Sequence, residues 1–185
     1  PAGDSEKLAK ILFCYDNPPG TKEVSGSQDS IGIVFPGLNR AYYEGKYWPT
    51  RIDSVQDETV LQFIEKSIYL VPLGPRHSGY SVLANTNITW NGAKALSEAA
   101  DACWNAILDK DVINFGKYFR KSFEAQIEMF PNMVNPMVFD LIDHYRDSAL
   151  GWKLSGAGGG GYLILISDKP IQHAIQILVR RVNNS

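Results

Sequence analysis

Apolar residues recur at every third or fourth position in several stretches of the chain, and this spacing predicts amphipathic helices. The predicted helices cover residues 5–14, 57–66, 96–108, 111–130, 135–145 and 169–182. Asp111 and Asn135 stand at the starts of two of them, where their side chains can accept hydrogen bonds from free N–H groups. The last helix is predicted from the spacing of Ile171, Ala174 and Ile175 after Lys169-Pro170.

Short apolar runs between turn residues predict strands. These runs cover residues 38–44, 47–53, 67–72 and 162–167, and Gly45-Lys46 is predicted to join the first two as a hairpin turn. Strands and helices are mixed along the chain without strict β-α alternation. This order predicts an α+β fold, with helices packed on one face of a mainly antiparallel sheet.

The composition of the chain argues against nucleic-acid binding and against insertion into a membrane. The 185 residues carry a net charge of −2 and 44% hydrophobic residues, and no basic stretch calls for nucleic acid. The longest apolar run is too short to cross a bilayer, so no membrane partner is predicted. Cys14 and Cys103 occupy apolar positions of predicted helices, which predicts buried free thiols in a reducing cytoplasm.

One glycine-rich run lies between two predicted strands. Residues 156–161 fit the spacing of a dinucleotide-binding fingerprint, but a strand follows them and no βαβ unit surrounds them. The Lys-Ser/Thr of a Walker A loop is missing too. Glycines cost conformational entropy and pack little, so the run predicts a main chain that bends tightly or approaches a ligand closely. The alternative is a glycine hinge that binds nothing.

Residues 153–162 read Lys-Leu-Ser-Gly-Ala-Gly-Gly-Gly-Gly-Tyr and lead into an apolar strand. This segment resembles the third motif of the GHMP small-molecule kinases, and the spacing of the earlier segments resembles their sugar and heptose-phosphate branch. The resemblance implies a kinase that uses ATP and Mg²⁺ to phosphorylate a sugar or sugar phosphate, such as a heptose phosphate or fucose. It also implies the family's ferredoxin-like C-terminal domain in residues 67–185.

The same resemblance implies that residues 1–66 are a remnant of the N-terminal kinase domain. Complete members carry a Pro-x-x-x-Gly-Leu-Gly-Ser-Ser-like ATP loop that opens a helix. Residues 25–27 lack that pattern, and we expect no helix to open directly after them. We therefore expect a piece of a kinase that begins at Pro1 without a methionine, lacks most of its nucleotide site and is inactive alone. Its partners would be the missing N-terminal part and, through exposed apolar surface, a second copy in a homodimer.

The resemblance places phosphate binding on the glycine run. A glycine loop offers main-chain N–H donors without side chains that hold a phosphate away. The residues predicted to bind phosphate or substrate here are Lys153, Ser155, Gly156, Ala157, Gly158, Gly159, Gly160 and Gly161. Lys153 has a simpler alternative as a solvated surface charge.

The resemblance also makes Asp29 the catalytic base or hydroxyl-orienting carboxylate, with Gln28 beside it. Taken alone, the segment around Asp29 is equally an ordinary helix cap. Arg76 and Ser78 lie in a polar loop that the resemblance places near the sugar, where an arginine could bind a substrate phosphate through two hydrogen bonds. A plain surface loop is the alternative. No residue is predicted to bind a metal directly.

Two rival functions remain open. One is a decarboxylase or another non-kinase member of the superfamily that reuses the same loops. The other is a non-catalytic sugar- or nucleotide-binding module derived from a GHMP kinase.

Overall fold

The computed structural model describes residues 3–76 and 80–182. In these residues the helices are α1 (Ser5–Asp16), α2 (Gln28–Val34), α3 (Glu58–Ser67), α4 (Trp90–Leu108), α5 (Val112–Met129) and α6 (Pro136–Tyr145). The strands are β1 (Leu38–Tyr42), β2 (Arg51–Val55), β3 (Ile68–Gly74), β4 (Gly151–Leu154), β5 (Gly161–Ile166) and β6 (Ile175–Gln176), and a 3-10 turn spans Pro131–Met133. The chain up to Leu61, with the segment from Val179, forms one compact unit, and Gln62–Leu178 forms another.

The first unit contains the antiparallel pair of β1 and β2, in register from Leu38 opposite Val55. Helices α1 and α2 pack against each other. The segment after Val179 is tied to this unit by an ion pair between Arg181 and Glu58, at 2.8 Å. Whether these residues descend from an N-terminal kinase domain stays a prediction.

The second unit is built on an antiparallel sheet with the strand order β4-β5-β3-β6. Alternate residues of its strands point to one face and form a core with side chains of α5, the 3-10 turn and α6. The most buried members of this core are Phe123, Met133, Val138, Leu154, Leu163 and Leu165. The predicted α+β class, with helices against a mainly antiparallel sheet, is confirmed.

The predicted caps of the central helices are confirmed. The side chain of Asp111 accepts a hydrogen bond from the Asn114 amide, and that of Asn135 accepts one from the Val138 amide. Each bond satisfies an N–H group that the first turn of a helix leaves without a partner. No helix in the described part of the chain is long and apolar enough to cross a membrane.

Helix α5 approaches β4 at a pair of glycines. A Cβ atom added at Gly151 would lie 2.0 Å from the carbonyl oxygen of Gly116. A Cβ added at Gly116 would lie 2.6 Å from the Cβ of Leu150. The two backbones touch, so this contact sets how α5 lies on the strand that leads into the glycine loop.

Lys153 lies between Trp152 and Leu154 on β4, so its side chain points away from the core that these two residues form with α5 and α6. Its ammonium donates a hydrogen bond to the Ser122 hydroxyl of α5, at 3.1 Å. Burial lowers the pKa of Lys153 to about 8, and its interaction with Cys103 of α4 acts in the opposite direction. Burial also raises the pKa of the Cys103 thiol to about 12. Lys153 is half-buried, so the alternative of a solvated surface charge is wrong.

The predicted C-terminal helix is wrong. Residues 171–174 form a turn in which His173 has a φ of +62°, and Ile175–Gln176 then pair with β3 as β6. The Gln176 amide also donates a hydrogen bond to the Glu65 carbonyl, at 2.9 Å. The apolar residues do have helical spacing, but Ile175 and Gln176 pair with the free edge of β3 as a strand and so cannot be helical.

Three smaller expectations also fail. Helix α2 opens at Gln28, directly after residues 25–27, where no helix was expected. Cys14 is exposed because it lies on the outer side of α1, whereas Cys103 is half-buried as a free thiol. The predicted hairpin turn at Gly45-Lys46 is longer, since β1 ends at Tyr42 and β2 begins at Arg51.

The glycine contact between α5 and β4 gives a stability test. Gly151→Ala should lower the free energy of unfolding by at least about 2 kcal/mol, because the new methyl group meets backbone that cannot rotate away. For a chain of this size that corresponds to a fall in melting temperature of about 4–8 °C. Gly32→Ala is the matched control, since nothing lies within 4 Å of its added Cβ in α2. Equal melting temperatures for the two variants would contradict the close approach.

Lys153 gives a pH test. The unfolded chain keeps the lysine proton up to a pKa near 10.5, whereas the folded chain releases it near 8. The unfolded state therefore binds more protons between these values, so folding stability should rise with pH in this window, by at most about 1.4 kcal/mol per pH unit. Urea unfolding from pH 7.5 to 9 should show this rise in the parent and in Lys117→Met, but not in Lys153→Met. The window ends there because the raised pKa of Cys103 makes stability fall with pH above the ordinary thiol pKa of 9.0. If the free energy of unfolding changed with pH in the same way in all three proteins, burial would not lower the pKa of Lys153.

Candidate functional site

The glycine run forms the loop between β4 and β5, which are neighbours in the sheet. Its backbone takes φ angles of +63° at Gly156, +74° at Gly158, +69° at Gly159 and +87° at Gly161. Residues with a side chain rarely adopt this left-handed region. The sequence therefore places glycine where the path of the chain requires it.

Ser155 closes the base of the loop. Its amide donates to the Tyr162 carbonyl at 2.9 Å, and its hydroxyl accepts from the Tyr162 amide at 3.1 Å. Both bonds join the end of β4 to the start of β5. Ser155 is thus engaged in holding the hairpin together, a role that the sequence did not predict for it.

The middle of the loop packs directly on other parts of the second unit. A Cβ at Gly158 would lie 2.5 Å from the Met133 carbonyl oxygen, and a Cβ at Gly159 would lie 2.5 Å from the ring of Tyr80. A Cβ at Gly160 would lie 2.8 Å from the backbone nitrogen of Arg76. At these three positions glycine is needed for contacts within the protein itself. Gly156 is different, because its added Cβ would meet only a guanidinium nitrogen of Arg76, at 3.8 Å.

Two side chains that follow β3 bind carbonyl groups of the loop. The Tyr80 hydroxyl donates to the Ala157 carbonyl at 2.6 Å, and Nε of Arg76 donates to the Gly158 carbonyl at 2.8 Å. The Arg76 guanidinium also lies 5.8 Å from the centre of the Tyr80 ring. These bonds join residues about 80 positions apart in the sequence and fix the loop against β3.

Several amide groups of the loop have no acceptor in the described part of the chain. The Gly159 amide donates to the Met133 carbonyl at 3.2 Å. The turn at Gly156 and Ala157 directs the Gly158 amide to the Ser155 carbonyl. Among residues 3–76 and 80–182, no acceptor is found for the amides of Gly156, Ala157 and Gly160. Closely spaced amide donors of this kind suit an anion, since each adds positive partial charge and none adds bulk.

The structure brings some of the predicted site residues together. The loop and Arg76 are in contact, although Arg76 binds a loop carbonyl and so braces the loop. Lys153 is directed away from the loop, toward Ser122 of α5. Ser78 lies outside the described residues. Tyr80 and Met133 were missed, because an aromatic residue in a polar loop and a methionine before a helix carry no sequence signal for this contact.

The predicted carboxylate lies in the first unit. Asp29 is exposed in the first turn of α2, with Gln28 before it. The neighbouring Ser27 is fully buried, and its hydroxyl donates to the Tyr47 carbonyl at 2.7 Å and lies 2.9 Å from the Tyr43 hydroxyl. Ser27 makes no capping hydrogen bond to α2. Buried serine contacts, rather than a side-chain cap, therefore hold the turn that carries Asp29.

No group of three or more acidic, histidine or cysteine side chains in the described ranges is placed to hold a metal ion. Mg²⁺ in phosphoryl-transfer sites is usually held by one or two carboxylates together with substrate phosphates. The roles of Asp29, Gln28, Arg76 and the loop residues toward a ligand stay predictions.

Comparison with known proteins gives two kinds of match. No protein-family model matches the chain. In sequence it is 26% identical over 177 residues to a bifunctional fucokinase/GDP-fucose pyrophosphorylase of Arabidopsis thaliana, covering 89% of this chain. It is 32% identical over 97 residues to an L-fucokinase/L-fucose-1-P guanylyltransferase of Bacteroides fragilis, covering 52% of this chain. The chain spans only 16% and 10% of the lengths of these two relatives.

Solved structures match the fold over most of the chain. A mevalonate kinase structure superposes with a TM-score of 0.66 at 20% identity, covering 90% of this chain and 50% of that one. A D-glycero-D-manno-heptose 1-phosphate kinase from Bacteroides thetaiotaomicron superposes with a TM-score of 0.57 at 14% identity, covering 91% and 46%. The resemblance to the GHMP kinases predicted from residues 153–162 is therefore confirmed, in fold by the solved structures and in sequence by the fucokinases.

Proposed function

We propose that this chain is part of an ATP-dependent sugar kinase that transfers the γ-phosphoryl group to a hydroxyl of a sugar or sugar phosphate. The names of the sequence relatives support fucose as the first substrate to test, and the heptose 1-phosphate kinase fold supports heptose phosphates as the second. Because the chain spans about half of the solved kinases, we expect activity from the longer gene product and not from this chain alone.

The observation that carries this proposal is the glycine loop between β4 and β5. Three of its amides, those of Gly156, Ala157 and Gly160, have no acceptor in the described part of the chain, and four of its glycines have positive φ angles. Phosphoryl transfer needs positioned donors around an anion more than it needs covalent chemistry from the protein. The loop fits the phosphates of a nucleotide, since it presents N–H groups without the bulk or charge of side chains.

Under this proposal the residues of the chain have separate tasks. MgATP, when bound, supplies the phosphoryl group and a metal charge that offsets the phosphates. The loop amides stabilise negative charge on the phosphate oxygens. Asp29 accepts the proton of the sugar hydroxyl or orients that hydroxyl, and Gln28 helps to position it. Buried Ser27 keeps the turn of α2 in place while Asp29 stays accessible.

Asp29→Asn tests the proposed carboxylate. Release of ADP by the gene product that contains this sequence should be measured with fucose, heptose phosphates, galactose and mannose. One sugar should be turned over, and Asp29→Asn should lower kcat by about 100-fold or more, because the amide cannot take the hydroxyl proton. Asp16→Asn removes the same charge from an exposed position on α1 and should leave kcat unchanged. Absence of turnover with every sugar would favour a non-catalytic binding module.

A pair of variants at Ala157 tests the loop. A carboxylate in the loop would repel phosphate by roughly 4 kcal/mol at about 4 Å. Ala157→Asp should therefore lower kcat/KM for ATP by at least about 100-fold, whereas Ala157→Asn has nearly the same shape without the charge and should have a much smaller effect. Thermal unfolding would establish that both variants fold. Similar activity of the two variants would show that no phosphate approaches the loop.

A further inference from the structure

The connection between β1 and β2, residues 43–50, is held in place within the first unit. Its end is closed by the Thr50 amide, which donates to the Tyr42 carbonyl at 2.8 Å. Its Trp48 ring packs edge-on against the Phe13 ring of α1, with the ring centres 6.0 Å apart. The connection is therefore fixed on α1 as well as on its own strands.

Ser27 ties the same connection to the turn that carries Asp29. A serine hydroxyl has one proton to donate, and a backbone carbonyl can only accept. The Ser27 proton therefore goes to the Tyr47 carbonyl, at 2.7 Å. The Tyr43 hydroxyl, 2.9 Å from the Ser27 hydroxyl, must then be the donor in that second contact. Both tyrosines are thus attached to one buried serine.

This attachment brings the two tyrosines close to Asp29 along the chain. Asp29 follows Ser27 by two residues, so their Cα atoms are at most about 7 Å apart. Asp29 itself is exposed in the first turn of α2. The carboxylate and the tyrosine backbone are therefore set on the same buried residue.

The tyrosine rings remain open to solvent although their attachment points are fixed. Tyr47 is 63% exposed and Tyr43 is 38% exposed. Tyrosine offers a large, amphipathic contact area with few rotatable bonds, so a ligand that binds it costs little conformational entropy. A fixed backbone lowers that cost further. Tyr47, the more exposed of the two, is the better suited to contact a ligand.

A sugar matches this combination of groups. Its ring presents C–H groups on one face and hydroxyls around its edge. The face of an aromatic ring carries negative partial charge and attracts such C–H groups, while a carboxylate accepts hydrogen bonds from hydroxyls. A nucleobase can stack on tyrosine too, but the Asp29 charge would repel the phosphates that a nucleotide carries.

We propose that Tyr47 is a specificity-determining residue, whose ring is the surface on which the acceptor sugar stacks while one sugar hydroxyl meets Asp29. Tyr43 and Ser27 hold that surface in place. The inference rests on the proposed kinase function and adds to it the contact that binds the apolar face of the sugar.

Variants at Tyr47 test the ring without disturbing its attachment, because the backbone carbonyl makes the bond to Ser27. Tyr47→Ala and Tyr47→Gln remove the aromatic face, whereas Tyr47→Phe keeps it. Tyr15→Ala is the matched control, since Tyr15 is 82% exposed on α1 of the same unit. KM for sugar and for ATP would be measured with the gene product that contains this sequence. Calorimetry with fucose, a heptose phosphate, galactose and mannose, and thermal unfolding, would accompany the kinetics.

We expect Tyr47→Ala and Tyr47→Gln to raise KM and the dissociation constant for the sugar by about tenfold, the scale of one aromatic contact. KM for ATP should not change. Tyr47→Phe should stay within about twofold of the parent for the sugar, because the ring makes the contact. Tyr15→Ala should match the parent in all three constants.

The outcomes separate the inference from the function on which it rests. Parental sugar constants in Tyr47→Ala and Tyr47→Gln would overturn the inference. A rise in KM for ATP alone would do so too and would assign the ring to a nucleobase, and an equal rise for both substrates would mark a general structural effect. In each case a parent that turns over a sugar, and loses that activity in Asp29→Asn, keeps the proposed function intact. A parent that neither binds nor turns over any of the sugars would overturn the proposed function and the inference together.

Discussion

The path of the loop between β4 and β5 depends on the absence of side chains at three consecutive positions. Gly158, Gly159 and Gly160 lie so close to Met133, Tyr80 and Arg76 that an added Cβ would come within 2.5 to 2.8 Å of them. This close packing lets the protein hold the loop from outside, through its carbonyls. The amides of Gly156, Ala157 and Gly160 have no acceptor in residues 3–76 and 80–182, and these are the donors that we propose for a phosphate.

Sequence patterns located the central elements because their signals are local. The Asp111 and Asn135 caps, and the apolar stripes that follow them, depend on residues three or four positions apart. The glycine run was equally visible, since its backbone conformation is a property of the glycines themselves. The α+β class followed from the order of these elements along the chain.

The sequence could not show what depends on distant partners. Residues 171–176 have helical spacing, yet Ile175 and Gln176 pair as a strand with the edge of β3 at Leu70 and Tyr69. Lys153 was expected near the loop, but Ser122 lies on its side of the strand and accepts its hydrogen bond. Tyr80 reaches Ala157 across 77 positions. Each of these outcomes is decided by contacts that no local pattern contains.

The partial pairing of β3 has a consequence for solubility. In the described residues β6 covers this edge of β3 only at Tyr69 and Leu70. Open strand edges invite other chains to add to the sheet and start aggregation. Beyond Leu70, Pro72 removes one N–H donor from the strand, and the register shifts between Pro72 and Gly74. The exposed end of β3 is therefore a poor template for another strand, and the irregularity that leads the chain toward the loop also protects the sheet from edge-to-edge association.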